Sequence, residues 1–126
     1  MSEQEKKKIL IIEDDQSLQS ALVEIIQQEG FETESAFDGE EGLAKARSFG
    51  PDLILLDIIL PKKDGFEVLL EIKKDEATKN IPVLVLTNLE EVNNIQKALD
   101  LGANSYLVKS DFSLKEVVEK VKAILK

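Results

Sequence analysis

Asp57 follows an unbroken apolar run, Leu53-Ile54-Leu55-Leu56, and precedes Pro61 and an Asp64-Gly65 turn, so one carboxylate stands where a buried strand meets solvent. A charge at such a point is costly unless it is paired or employed. A second acidic cluster, Glu13-Asp14-Asp15, ends the equivalent run Ile9-Leu10-Ile11-Ile12. In a parallel sheet the carboxyl ends of neighbouring strands open onto one crevice, which would gather three or four carboxylates in a small space. Like charges that close raise one another's pKa unless a cation compensates, and an all-oxygen site suits a hard ion such as Mg²⁺. Two further apolar runs also end on polar groups, at Thr87 and at Lys109. Taken singly, Asp14 or Asp15 could cap a first helix and Thr87 or Asn88 a fourth. Four matching strand ends together point to a shared site.

The elements that must position these residues alternate from end to end, five short apolar strands with five helix-period segments, which predicts a parallel sheet covered by helices on both faces. The first strand is expected over Lys8 to Glu13. Its helix places Leu18, Leu22, Ile25 and Ile26 on one face and stops at Gly30. The second strand, Glu32 to Phe37, is more polar, with Thr33, Ser35 and Phe37 on one side, which suits a sheet edge. Asp38 caps the second helix with Glu41 as its capping-box partner. Leu43 and Ala46 face inward, and Gly50-Pro51 ends it.

The third strand is expected over Asp52 to Asp57, and the third helix over Gly65 to Lys74 with Phe66, Leu69 and Ile72 buried. The fourth strand, Pro82 to Thr87, leads to a helix from Glu90 to Leu101 with Val92, Ile95 and Leu99 inward and Gly102 in a left-handed conformation after it. The fifth strand covers Ser105 to Val108. Ser113 and Glu116 form a capping box at the start of the last helix, with Phe112 and Val117 as a hydrophobic staple.

Composition narrows the function. The 126 residues suit one domain with a substantial core, and the net charge of −9, from twenty-five acids against sixteen scattered Lys and Arg, argues against direct nucleic-acid binding. A partner surface is expected instead. There is no Cys, hence no disulfide framework or thiolate chemistry. There is no His, so any proton or phosphoryl chemistry runs on carboxylate, hydroxyl, ammonium or metal. Neither a signal-peptide stretch nor a run long enough to span a membrane is present, which predicts a soluble cytoplasmic protein.

The chain resembles the receiver domain of two-component response regulators, the single-domain chemotaxis type being nearest in size. The resemblance rests on Ile11-Ile12-Glu13-Asp14 with Asp15 following, Asp52-Leu53-Ile54-Leu55-Leu56-Asp57, Leu60-Pro61-Lys62-Lys63-Asp64-Gly65, Ile81 to Thr87, and Gly102 to Lys109. It implies a flavodoxin-like (βα)5 fold, doubly wound, with strand order 2-1-3-4-5, over residues 7–126 after a flexible 1–6. By resemblance Asp57 is the phosphoryl acceptor. Asp14 and Asp57 bind Mg²⁺ beside the backbone carbonyl of Ile59, and Glu13 reaches the ion through water. Thr87 and Lys109 hold phosphoryl oxygens, and Thr87 and Tyr106 switch the face of helix 4, strand 5 and helix 5. Ile59 and Leu89 occupy the two positions that set phosphoryl lifetime.

The implied partners are a histidine kinase or histidine phosphotransfer protein and a downstream protein target, the chain being a monomer or a weak phosphorylation-linked dimer. Such a protein is no enzyme in the usual sense, promoting only its own Mg²⁺-dependent phosphorylation and dephosphorylation. The chain departs from the family pattern at Ser110, where a proline preceded by a cis peptide is usual, and at Asn88, where a smaller residue is usual. A cis bond before a non-proline costs about 3–4 kcal/mol, so the Lys109-Ser110 peptide is either enforced by its surroundings or trans.

Three other readings share parts of this pattern. A haloacid-dehalogenase-type phosphatase needs a second acid two residues after its nucleophile, and Ile59 stands there. A flavodoxin-like FMN protein needs a hydroxyl- and Gly-rich phosphate loop where this chain has three acids. A receiver used only as an unphosphorylated docking module is separated from the main reading by Mg²⁺-dependent labelling with a small phosphodonor.

Overall fold

The apolar runs that lead into the two acidic clusters become adjacent strands at the centre of one sheet. The computed structural model describes residues 6–88, 92–108 and 113–125, the side chain of Val92 excepted. The order is β1 (Lys8–Ile12), α1 (Gln16–Gln28), β2 (Glu32–Ala36), α2 (Gly39–Ser48), β3 (Leu53–Leu56), α3 (Gly65–Lys74), β4 (Val83–Thr87), α4 (Val92–Asp100), β5 (Ser105–Val108) and α5 (Leu114–Leu125). The strands are all parallel, in the order β2-β1-β3-β4-β5. Ile12 lies opposite Leu56 and Leu56 opposite Val85, so Glu13 and Asp57, which follow β1 and β3, emerge at one level beside the last residues of β4.

Strand alternation divides the interior into two layers. Ile9 and Ile11 of β1, Leu53 and Leu55 of β3, and Leu84 and Leu86 of β4 pack with Leu22 and Ile26 of α1 and Val117 and Val121 of α5. Leu10, Ile12, Ile54, Leu56, Val83 and Val85 face the other way, onto Leu43 and Ala46 of α2, Val68, Leu69 and Ile72 of α3, and Ala98 of α4. Burial of each such side chain is worth about 1.5–3 kcal/mol, which is why β1 and β3 lie between layers and not at an edge.

The helix starts follow the expected chemistry. The Asp38 side chain accepts from Glu41 N at 2.8 Å, and Glu41 reaches back to Phe37 N at 2.7 Å, one residue beyond a standard box. Ser113 and Glu116 bond reciprocally, at 2.8 and 3.3 Å. Asp64 caps α3 through Phe66 N, and Gly102 has φ 110°.

Several expectations need correction. Glu13, Phe37, Asp52, Asp57 and Pro82 lie just outside their strands, as end residues of ladders commonly do. In α3 Leu69 and Ile72 are buried as expected, but the third fully buried residue is Val68, while Phe66 is only partly buried. In α4 Ala98 is buried and Leu99 is 41% exposed, because a helix turns 100° per residue and the stripe facing the sheet is centred one position earlier. Gln19, a polar residue, occupies the inner face of α1. The expected start of helix 4 at Glu90, the Val92 side chain and the Phe112 staple lie outside the described residues, as does the N-terminal extension apart from Lys6. Among the described residues no helix is long and apolar enough to cross a membrane.

Candidate metal and acceptor site

The three consecutive acids after β1 have three different roles. Asp15 is the N-cap of α1, its carboxylate accepting from Ser17 N at 2.9 Å and Leu18 N at 3.2 Å. Glu13 is buried, with an oxygen accepting from Asp15 N at 3.1 Å. Asp14, between them, is exposed. Capping therefore consumes Asp15 and leaves Asp14 available to the crevice.

Asp57 reaches the same place from β3. Its N–H donates to Ile12 O at 3.0 Å, extending the β1–β3 ladder by one bond, and its carboxylate accepts from Ile59 N at 3.1 Å. The side chain is 4% exposed. Gly65, the first residue of α3, lies directly beneath. A Cβ there would stand 2.6 Å from Asp57 O and closer still to Ile58 Cα, so only glycine lets α3 start this near the Asp57 backbone. Glu13, Asp14, Asp15, Asp57, Ile59 and Asn88 line a cleft of about 270 Å³.

One carboxylate oxygen from each of Glu13, Asp14 and Asp57 lies within 4.8 Å of the others. A set made only of carboxylate oxygens at that spacing fits a hard divalent cation such as Mg²⁺. The Ile59 side chain projects to solvent at 55% exposure, while Ile58 is buried beneath the loop. Thr87 is fully buried at the end of β4, opposite Val108, and Asn88 lines the cleft in its stead.

Tyr106 sits opposite Val85 on β5, half-buried against the α2–α3–α4 layer. Its pKa is raised first by burial and then by the negative charge of Asp57, so the phenol lies within the field of that carboxylate. Lys109, Leu89 and the Lys109-Ser110 peptide lie outside the described residues.

Gln19 is the residue that sequence reasoning missed. Its Nε2 donates to the carbonyls of Ile11, Glu13 and Ala36 at 3.0 to 3.2 Å, and its Oε1 accepts from Ser35 Oγ at 3.1 Å. One buried amide thus ties together the carboxyl ends of β1 and β2 beneath the acidic cluster. The signal was present in the spacing of Gln19 with Leu22 and Ile26, which puts all three on one helix face.

The family model described as the response regulator receiver domain matches residues 9–122. Among curated relatives, the DNA-binding dual master transcriptional regulator RpaA of Synechocystis sp. is 40% identical over 94% of this chain and 49% of its own length. The alkaline phosphatase synthesis transcriptional regulatory protein PhoP of Bacillus subtilis is 41% identical over 95% and 49%. The chain therefore spans about half the length of the curated relatives it matches. Among solved structures, a CheY-like receiver domain protein from Methanospirillum hungatei superimposes with a TM-score of 0.89 at 31% identity, covering 96% of this chain and 94% of that one. Chemotaxis protein CheY4 of Vibrio cholerae gives 0.89 at 30% identity, covering 96% and 100%.

Proposed function

Because the chain belongs to the response regulator receiver domain family, we propose that it accepts a phosphoryl group on Asp57 from the phosphohistidine of a partner kinase or phosphotransfer protein. Receiver domains interact with histidine kinases and act as signalling domains, not as enzymes on external substrates. The observation that carries this reading is the buried Asp57 carboxylate with Glu13 and Asp14 oxygens within 4.8 Å. In the transfer, an Asp57 carboxylate oxygen forms the new O–P bond as the donor's N–P bond breaks, and the leaving imidazole keeps the electron pair and takes up a proton. A carboxylate near neutral pH needs no base to activate it, which suits a chain without His.

Asp14, Asp57 and the Ile59 carbonyl would hold Mg²⁺, with Glu13 reaching it through water. The bound ion supplies charge neutralisation to the phosphoryl oxygens. Thr87 and Lys109 bind those oxygens. Drawing the Thr87 hydroxyl toward the phosphoryl group makes room for Tyr106 to turn inward, which repacks the face of α4, β5 and α5 and gives a partner a different surface. Ile59 and Leu89 are apolar and cannot orient an attacking water, so the phosphoryl group is long-lived. Ile59→Asn with Leu89→Glu is expected to shorten its lifetime.

The receiver unit runs over residues 7–126. The transcriptional regulators among its relatives support an output carried by another segment or protein, and the net charge of −9 opposes direct contact of the receiver with nucleic acid. Incubation with acetyl phosphate and Mg²⁺ followed by intact mass measurement tests the reading. A phosphoryl-sized increment that disappears in Asp57→Asn and with a chelator is expected. Its absence from a folded protein would favour an unphosphorylated docking module.

A further inference from the structure

Gly39, the first residue of α2, faces the loop that links the acceptor to α3. Its N–H donates to Pro61 O at 3.3 Å. A Cβ on Gly39 would stand 2.7 Å from Lys63 Cβ and 3.0 Å from Lys63 C, with Lys63 O nearer still. These are backbone atoms and a β-carbon, which cannot swing aside as the end of a flexible side chain can.

The facing segment is itself tightly wound. Lys63 N donates back to Pro61 O at 2.8 Å, and Lys62 between them has φ 69°, the one described non-glycine residue with positive φ. This is a γ-turn with a left-handed central residue, a rare and strained form that persists only where its surroundings enforce it. Three contacts supply that enforcement. Gly39 abuts the turn from α2, Lys62 Nζ lies 3.8 Å from Asp38 Oδ2, and Lys63 Nζ bonds Glu71 of α3 at 2.8 Å. The beginning of the loop is held separately, by Gly65 N donating to Ile58 O at 2.8 Å.

Between these two anchorages lie only Ile59 and Leu60. We propose that Gly39 is a positioning residue for the cation site: its missing side chain lets the Pro61–Lys63 turn seat against α2, and that seating fixes where the Ile59 carbonyl points. The inference rests on the reading of that carbonyl as a metal ligand. Gly39 itself touches neither ion nor phosphoryl group. Displacement of supporting groups around metal ligands typically costs 10- to 100-fold in affinity.

Calorimetric Mg²⁺ titration of the whole chain decides it. Gly39→Ala pushes on the turn from α2. Lys62→Pro attacks the same contact from the loop, because proline cannot adopt φ 69°. Gly50→Ala is the control for stability: it strains the far end of the same helix, at φ 62°, where an added Cβ meets nothing within 4 Å. Lys62→Gly gives up the exposed Asp38 ion pair but keeps the turn, because glycine takes φ 69° without strain and needs no enforcement. Gly39→Ala and Lys62→Pro are expected to raise the Mg²⁺ dissociation constant roughly tenfold, while Gly50→Ala and Lys62→Gly stay within about twofold of wild type. A Gly39→Ala protein that melts lower than wild type yet binds Mg²⁺ equally well would assign Gly39 a structural role only and overturn the proposal. If Gly39→Ala does not fold, unchanged affinity in Lys62→Pro overturns it equally. Failure of the wild type to bind Mg²⁺ would remove both this inference and the metal reading beneath it.

Discussion

The strand that leads into Asp57 and the strand that carries the tyrosine belong to one sheet but are packed to different degrees. Every residue of β3 is buried, whereas every residue of β5 is half-buried, and the neighbouring α4 leaves Leu99 exposed while Ala98, among its described side chains, is fully buried. Carboxylates that must stay a few ångströms apart despite their repulsion need a backbone held from both faces. A strand whose residues are only half-buried has fewer buried contacts to give up and opens locally at lower cost. One sheet provides both conditions by placing the acids at its centre and Tyr106 at its edge.

The contrast breaks most visibly under truncation of the core. Leu55→Ala, in the central strand, is expected to cost about 2–5 kcal/mol in urea unfolding, and Leu107→Ala, on β5, about half of that or less. Equal losses would mean that β5 is as firmly built as β3. Next in size is Gln19→Leu, which deprives the Ile11, Glu13 and Ala36 carbonyls of a donor and is expected to cost about 1–3 kcal/mol. The same unfolding experiment checks it, and no loss would show that β1 and β2 hold their ends without the amide.

A smaller effect sharpens the less buried side of the comparison. Lys97 of α4 places its ammonium 4.3 Å from the centroid of the Phe66 ring, a specific contact between α4 and α3. Lys97→Met is expected to cost about 0.5–1 kcal/mol and to raise amide exchange in α4 but not in α3. The smallest effect is at Tyr106, the only tyrosine in a chain without tryptophan, so its ultraviolet titration is unambiguous. Its pKa lies above the ordinary value of 10.0. Asp57→Asn should lower it part of the way only, since burial is the larger cause and the charge of Asp57 the lesser. Because the folded state holds this proton more tightly, the associated stability is complete below the unfolded tyrosine pKa and is lost as pH rises through the folded one. A full return to the ordinary value in Asp57→Asn would reverse the ranking of the two causes.

Much of this is legible in the amino-acid sequence alone. The limits of α3 and β5, the caps at Asp38 and Ser113, the left-handed Gly102 and the edge position of β2 all follow from patterns within a few residues of one another. So did the gathering of Glu13, Asp14 and Asp57. The misplacement of Leu99 shows where such reading weakens: α4 is short and its apolar residues fit two neighbouring stripes, so only the sheet beneath it chooses between them. The cap was equally open between Asp14 and Asp15 from the residues alone, because adjacent acids share the chemistry to cap or to coordinate; only the resemblance directed Asp14 to the cleft.

By itself the amino-acid sequence determined the order of elements, the two apolar layers and the placing of acids at strand ends. These follow from periodicities of two and about 3.6 residues, which neighbouring side chains impose on one another. Only the tertiary structure decided that Asp15 caps while Asp14 faces the cleft, that Gln19 joins β1 to β2, and that Gly39 seats against Lys63. Those contacts join residues on separate elements. Their geometry depends on sheet register and on how closely two backbones can approach, which no local pattern specifies.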